Sequence, residues 1–304
     1  MAEKKIKDIP ESVRGRLKNI AKRMNRDFDA LLLQYFQERF LYRISLSDFC
    51  DNLILKGALL LYVKNIGVFR PTKDIDFLGR GIESDPGVIK KILIEIASID
   101  YNDGFNIIPE SIEAFTIKEG AEYEGVRVKV KGRLGSIRKT MVFDFGFGDH
   151  IIGGPEILEF PVLLDYPAPR IKCYTLESVI AEKFQAIVWL NYQTSRLKDF
   201  YDILFLAETG DFSSQKLRKA IVSTFKNRNT ELKSKGTIFS KFFKNDPSKQ
   251  VQWQAFLKKN RISKGSNFTD VIDEIKKFLE PLFNLDAESE YKWDRGTGQW
   301  IPQS

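Results

Sequence analysis

Apolar positions recur at helical spacing through residues 11–40, as Leu17, Ile20, Ala21 and Met24 and then Leu31, Leu32, Tyr35, Phe36 and Phe40. That pattern predicts two helices separated near Asn25 to Asp27, each burying one face. Ser45 to Asp48 reads as a turn or helix start, and the apolar run Leu53 to Val63 contains Gly57. A glycine inside a helix costs about 1 kcal/mol unless a close approach requires it, so Gly57 stands out. After Pro71, Asp74 to Leu78 reads as a strand closed by Gly79-Arg80-Gly81, with a helix over 86–98. From Gly104 to Phe147 the period changes to two, clearest in Val126, Val128, Val130 and in Met141, Phe143, Phe145, Phe147. Neighbouring antiparallel strands are expected there. Thr175 is a candidate N-cap for a helix reaching Trp189, and a second helix spans Thr194 to Glu208. Beyond Gly210, where the pattern breaks, helix and polar loop mix, and 286–304 reads as a polar tail carrying Trp293 and Trp300.

Composition narrows the class. The 304 residues are 43% hydrophobic and 29% charged, which fits a globular core and neither a disordered nor a membrane chain. No apolar run is long enough to span a bilayer, and no apolar stretch follows the basic start, so a cytoplasmic protein is expected. Cys50 and Cys173 read as free thiols of a reducing compartment. The single histidine, His150, excludes a zinc site of the usual Cys/His kind and argues against a His-based triad. The net charge of +7 is uneven: residues 1–25 carry eight basic and three acidic side chains, 26–210 carry 22 and 27, and 211–280 carry 16 and seven. Basic ends flank an acidic middle. No phosphate-binding loop, dinucleotide fingerprint or kinase signature is present.

The candidate chemistry starts from Asp74-Ile75-Asp76. Alternate residues of a strand share a face, so the two carboxylates stand about 6.6 Å apart at Cα and repel unless a cation lies between them. Mg²⁺ is commonly held by one or two such carboxylates plus substrate phosphates. A solvated Asp-x-Asp at a strand end is the plainer alternative. Asp144 projects opposite the face of Phe143, Phe145 and Phe147 and would complete a metal site beside Asp74 and Asp76, or else pair with Arg133, Arg138 or Lys139. Lys183 stands in an otherwise apolar helix, where it either snorkels or holds phosphate. Arg196, Asp199 and Asp202 form one polar stripe, either a solvated ion-pair surface or a partner for that lysine.

Taken in order, Ser12-Val-Arg-Gly-Arg-Leu17, Glu38 to Ser45, Leu55-Lys-Gly57-Ala-Leu-Leu-Leu61, Arg70-Pro-Thr-Lys-Asp-Ile-Asp76, Glu182-Lys183 and Arg196-Leu-Lys-Asp199-Phe-Tyr-Asp202 resemble the AbiEii/AbiGii-type toxin family of polymerase-β-superfamily nucleotidyltransferases. The resemblance implies an α+β nucleotidyltransferase fold, a mixed, mainly antiparallel sheet flanked by helices with a helical C-terminal lobe. Domains are expected at 1–50 (N-terminal helices), 51–170 (core), 171–285 (helical lobe) and 286–304 (tail). It implies a toxin that transfers NMP from an NTP to an acceptor hydroxyl, the 3′ end of tRNA in the best understood relatives, and so blocks translation and phage propagation. It further implies two Mg²⁺ on Asp74, Asp76 and Asp144, catalysis by these with Lys183 and Asp199, and nucleotide contacts from Lys56, Gly57, Arg70, Thr72, Lys183, Lys198 and Asp202. A cognate antitoxin is the expected protein partner. The small residue after Gly57 is Ala58, not the family's Gly or Ser, so no hydroxyl meets the phosphates there, and the spacing to Asp74 is long. The basic ends suggest a polyanionic acceptor. A small-molecule nucleotidyltransferase, or a nucleotide-binding protein with a retired site, stays open at this point.

Overall fold

The computed structural model describes residues 8–64, 74–119, 123–260, 262, 265–286 and 288–303. Contacts divide the chain into two compact units. The first comprises the described residues up to 64, 74–148 and 155–173, and the second comprises 149–154 and 174 onward.

In the first unit, α1 (Ile9–Arg23) is capped by Asp8, which accepts from the Glu11 amide at 3.0 Å. Asn25 then takes a left-handed φ of 49°, and Asp27 caps α2 (Phe28–Leu46), so the helix break falls where turn chemistry put it. The apolar run after Asn52 divides into β1 (Leu53–Lys56) and α3 (Gly57–Val63), hinged at Gly57 with φ 68°. β2 (Asp74–Gly79), α4 (Pro86–Ala97), β3 (Phe105–Glu119), β4 (Tyr123–Leu134), β5 (Ile137–Phe147), β6 (Glu156–Glu159) and β7 (Arg170–Cys173) follow. The strands form one sheet in the order β3-β4-β5-β2-β1-β7-β6. β2 runs parallel to β5 and β1 parallel to β7, and the other pairs are antiparallel, giving the mixed, mainly antiparallel α+β arrangement.

Helices pack on one face of the sheet. Val126, Val128, Val130, Phe143 and Phe145 are buried there, with the Phe40 ring 4.5 Å from Phe143 and Phe36 4.7 Å from Phe105. α2 is buried on more than the single face expected, because the 163–167 segment covers it opposite the sheet: Arg39 donates to the Pro167 carbonyl at 2.8 Å and Glu38 accepts from the Leu163 amide at 3.0 Å. The resulting buried charges are paired, Arg43 holding Asp103 with two bonds of 2.9 and 3.2 Å.

In the second unit, Thr175 caps α5 (Leu176–Leu190), and α6 (Leu197–Thr209), α7 (Ser214–Asn227), α8 (Lys241–Lys244), α9 (Pro247–Lys259) and α10 (Phe268–Leu279) form a helical body. The stretch read as a polar tail is folded from Tyr291: β8 (Tyr291–Asp294) and β9 (Gln299–Pro302) make a hairpin. Its two indoles supply the anchoring that polar composition concealed, Trp293 donating to the Ala207 carbonyl at 2.7 Å and Trp300 to that of Phe278 at 2.9 Å. Among the described residues no helix is long and apolar enough to cross a membrane.

Candidate active site

β1, β2, β5 and β4 are adjacent, and their register lines up Lys56, Asp76, Asp144 and Arg127 in one row across the sheet. Residues directly opposite on neighbouring strands point to the same face. Asp74, two positions before Asp76, shares that face and lies opposite Val142. Three carboxylates therefore gather on the side away from the Phe143 and Phe145 core, as the alternation in β5 predicts, and Asp144 faces the same way as Asp74 and Asp76. An Asp144 turned away would have favoured a retired site, and it is not turned away.

Two like charges on adjacent strands, about 4.8 Å apart in backbone, need compensation. The row supplies it from both ends. Arg127 grips Asp144 in a fork, Nε to Oδ1 at 2.7 Å and Nη2 to Oδ2 at 2.6 Å. Lys56 lies opposite Asp76, with its ammonium over Gly146 of β5, so that a β-carbon on Gly146 would come 3.2 Å from Nζ. Arg127 was not among the partners that sequence offered for Asp144. Lys139 instead pairs with Asp29 at 2.8 Å, and Arg133 and Arg138 face one another farther along the strands.

Gly57 explains itself here. A β-carbon at Gly57 would meet the Asp76 side chain, 2.6 Å from Cγ and 2.8 Å from its Cβ, and the φ of 68° also disfavours any other residue. The missing side chain lets the Asp76 carboxylate lie against the start of α3.

Asp74 and Asp76 fit a hard divalent cation, being oxygen donors on one half-buried face. Among the described residues no group of three Asp, Glu, His or Cys side chains is placed to hold a metal ion, so Asp144, forked to Arg127, is not brought together with Asp74 and Asp76 as a preformed third ligand. Mg²⁺ does not demand one, since it keeps waters and takes substrate phosphate oxygens. Arg70 and Thr72, expected to touch nucleotide, lie outside the described residues.

The second unit holds the other expected group. Lys183 of α5 donates to Asp199 Oδ1 at 2.9 Å and Asp202 Oδ2 at 2.6 Å, both on α6. The aspartates are 3% and 2% exposed, so the solvated ion-pair surface is replaced by a buried triad. Burial alone would lower the Lys183 ammonium, but the Asp199 and Asp202 charges outweigh it and hold the pKa above the ordinary lysine value. Arg196 caps the group at 3.7 Å from Asp199 Oδ2, whereas Lys198 points to solvent on the exposed side of α6 and does not join it. A neighbouring cluster that sequence did not single out links α5 to α7: Arg228 holds Asp149 at 3.2 and 2.9 Å, lies 3.4 Å from Glu182 and donates to Gln185 at 3.2 Å. His150 is exposed.

The family model for the AbiEii nucleotidyltransferase toxin of type IV toxin–antitoxin systems matches residues 39–275. Two solved structures, both from Helicobacter pylori, are similar: a candidate nucleotidyltransferase at 15% identity and TM-score 0.44, covering 84% of this chain and 98% of its own, and JHP933 at 14% and 0.45, covering 85% and 96%. No curated protein matches.

Proposed function

The chain belongs to the AbiEii nucleotidyltransferase toxin family of type IV toxin–antitoxin systems, and from that membership we propose that it transfers NMP from an NTP to the 3′-terminal hydroxyl of tRNA. The observation that carries this reading is the register of Asp76 with Asp144 across β2 and β5, with Asp74 on the same face.

The acceptor oxygen attacks the α-phosphorus, a new P–O bond forms, the α–β bridging bond breaks and pyrophosphate leaves. Asp74 and Asp76 would hold Mg²⁺, which when bound would supply charge neutralisation for the phosphates. Each Asp144 oxygen keeps an acceptor position beyond its bond from Arg127, so Asp144 would take the proton from the attacking hydroxyl and would turn an oxygen to the metal when one is bound. Lys183, oriented by Asp199 and Asp202, is assigned to the triphosphate, together with Lys56, Arg70 and Thr72. Blocked tRNA ends stop translation in the cytoplasm, which limits growth and phage propagation until the antitoxin acts.

Incubation with each α-labelled NTP and total tRNA, with Mg²⁺ or with EDTA, tests the reading. Label should enter RNA only with Mg²⁺ and only when Asp74 and Asp76 are intact. Label that enters RNA equally from the Asp74→Ala/Asp76→Ala protein would overturn it.

A further inference from the structure

The same sheet face carries a feature that whole-segment charge counts hide. Along β4 the inward positions are Val126, Val128, Val130 and Gly132, and every intervening residue from 127 to 133 is basic: Arg127, Lys129, Lys131 and Arg133. Lys129, Lys131 and Arg133 are exposed, and on β5 Arg138 stands directly opposite Arg133. Five cations thus share a face whose acids in register with them are Asp144, already gripped by Arg127, Asp76 and Asp74 one strand farther in the Arg127 and Lys129 rows, and Glu113 opposite Lys129. Among the described residues no carboxylate forms an ion pair with Lys131, Arg133 or Arg138. The opposite positions on β5 are uncharged, Val142 beside Lys129 and Thr140 beside Lys131.

The row has direction. It starts at Arg127, level with Asp76 through Asp144, passes Lys129, level with Asp74 through Val142, and runs on beyond both through Lys131 and Arg133, about 20 Å in three intervals of roughly 6.8 Å. That interval is comparable with the spacing of successive phosphates on an extended single strand. A row one side chain wide on a strand matches one backbone better than the paired backbones of a duplex. Phe115, 38% exposed, lies opposite Arg127 on β3, with the Lys129 ammonium 5.5 Å from its ring centre, and offers a stacking surface where a terminal base would arrive.

Resting on the reading above, we propose that Arg127, Lys129, Lys131 and Arg133 form the track for the backbone of a single-stranded 3′ segment of the RNA acceptor, delivering its end to Asp74, Asp76 and Asp144. On this assignment the main RNA contact lies on β4, one strand in from the sheet edge, rather than at the basic ends of the sequence.

Fluorescence anisotropy of a labelled 12-nucleotide uridine strand and of total tRNA, without NTP and at 50–200 mM KCl, tests the track. Lys129→Gln/Lys131→Gln/Arg133→Gln should weaken binding at least tenfold at 100 mM and flatten the logarithmic salt slope by about two, since each single-strand phosphate contact contributes about 0.7. Its melting temperature should match the wild type, because all three side chains face solvent. A control, Lys241→Gln/Lys258→Gln/Lys259→Gln in the basic segment of the second unit, should lose less than threefold. Unchanged affinity and slope in the β4 variant, equal loss in the control, or a wild type that binds poly-glutamate through this row but no RNA would each overturn the proposal. Binding is read without catalysis: RNA held by the track in a protein that transfers nothing sinks only the enzymatic reading, and transfer to tRNA with an unchanged KM in the β4 variant sinks only the track.

Discussion

The Asp76 carboxylate occupies the space that a side chain on Gly57 would fill. A built β-carbon would overlap Asp76 Oδ2 and come within 2.6 Å of Cγ, shorter than real β-carbons show, and the φ of 68° adds backbone strain for any L side chain. Gly57→Ala should therefore displace Asp76, cost about 1–3 kcal/mol in stability, and reduce transfer in step with loss of the carboxylate position. Urea denaturation together with labelled-NTP transfer reads both effects. An alanine variant of wild-type activity would show that Asp76 need not lie against α3.

Asp74 and Asp76 stand on an open face and carry little of the core, so their removal should separate chemistry from folding. Asp74→Asn or Asp76→Asn should lower transfer at least about 100-fold, the scale seen when a group that stabilises transition-state charge is removed. The melting temperature should stay within a few degrees of wild type, as followed by circular dichroism. Activity surviving within tenfold in both would exclude them as the metal-holding pair.

What sequence made legible followed from local periodicity. The period of two in β5 put Asp144 opposite Phe143 and Phe145, and Gly57 was marked before its neighbour was known. Non-local pairing was not legible: nothing local says that β2 runs parallel to β5, or that Arg127, 17 residues before Asp144, is its partner. The stripe of Arg196, Asp199 and Asp202 had the spacing of a solvated face, and only the packing of α5 on α6 buries its carboxylates around Lys183. The cations of β4 alternate with its valines in the sequence, but a charge count over residues 26–210 conceals them within an acidic segment.

Lys183 donates to both Asp199 and Asp202, and both aspartates are buried. Lys183→Met leaves two like charges together in a dry site, which should cost about 3–5 kcal/mol. Lys183→Met/Asp199→Asn/Asp202→Asn removes all three charges and should recover most of that stability without recovering transfer. Urea midpoints of the three proteins measure the first effect and labelled-NTP transfer the second. A single variant less than about 1 kcal/mol below wild type would show that water reaches the pair on relaxation.

Glu38 sets the pH dependence of the first unit. Burial pushes its carboxyl up to about 8, against the opposing pull of the Leu163 amide and Arg39, from an ordinary value of 4.5. The native state therefore keeps a proton that the unfolded chain has lost between those two values. Stability from this group is complete below the lower value, declines as pH rises, and is gone above the upper one, with a slope of at most about 1.4 kcal/mol per pH unit. Glu38→Gln cannot lose that proton. Its stability relative to wild type should rise steadily from pH 5 to pH 8.5 in urea titrations, whereas parallel curves would mean that Glu38 is ionised in the folded protein.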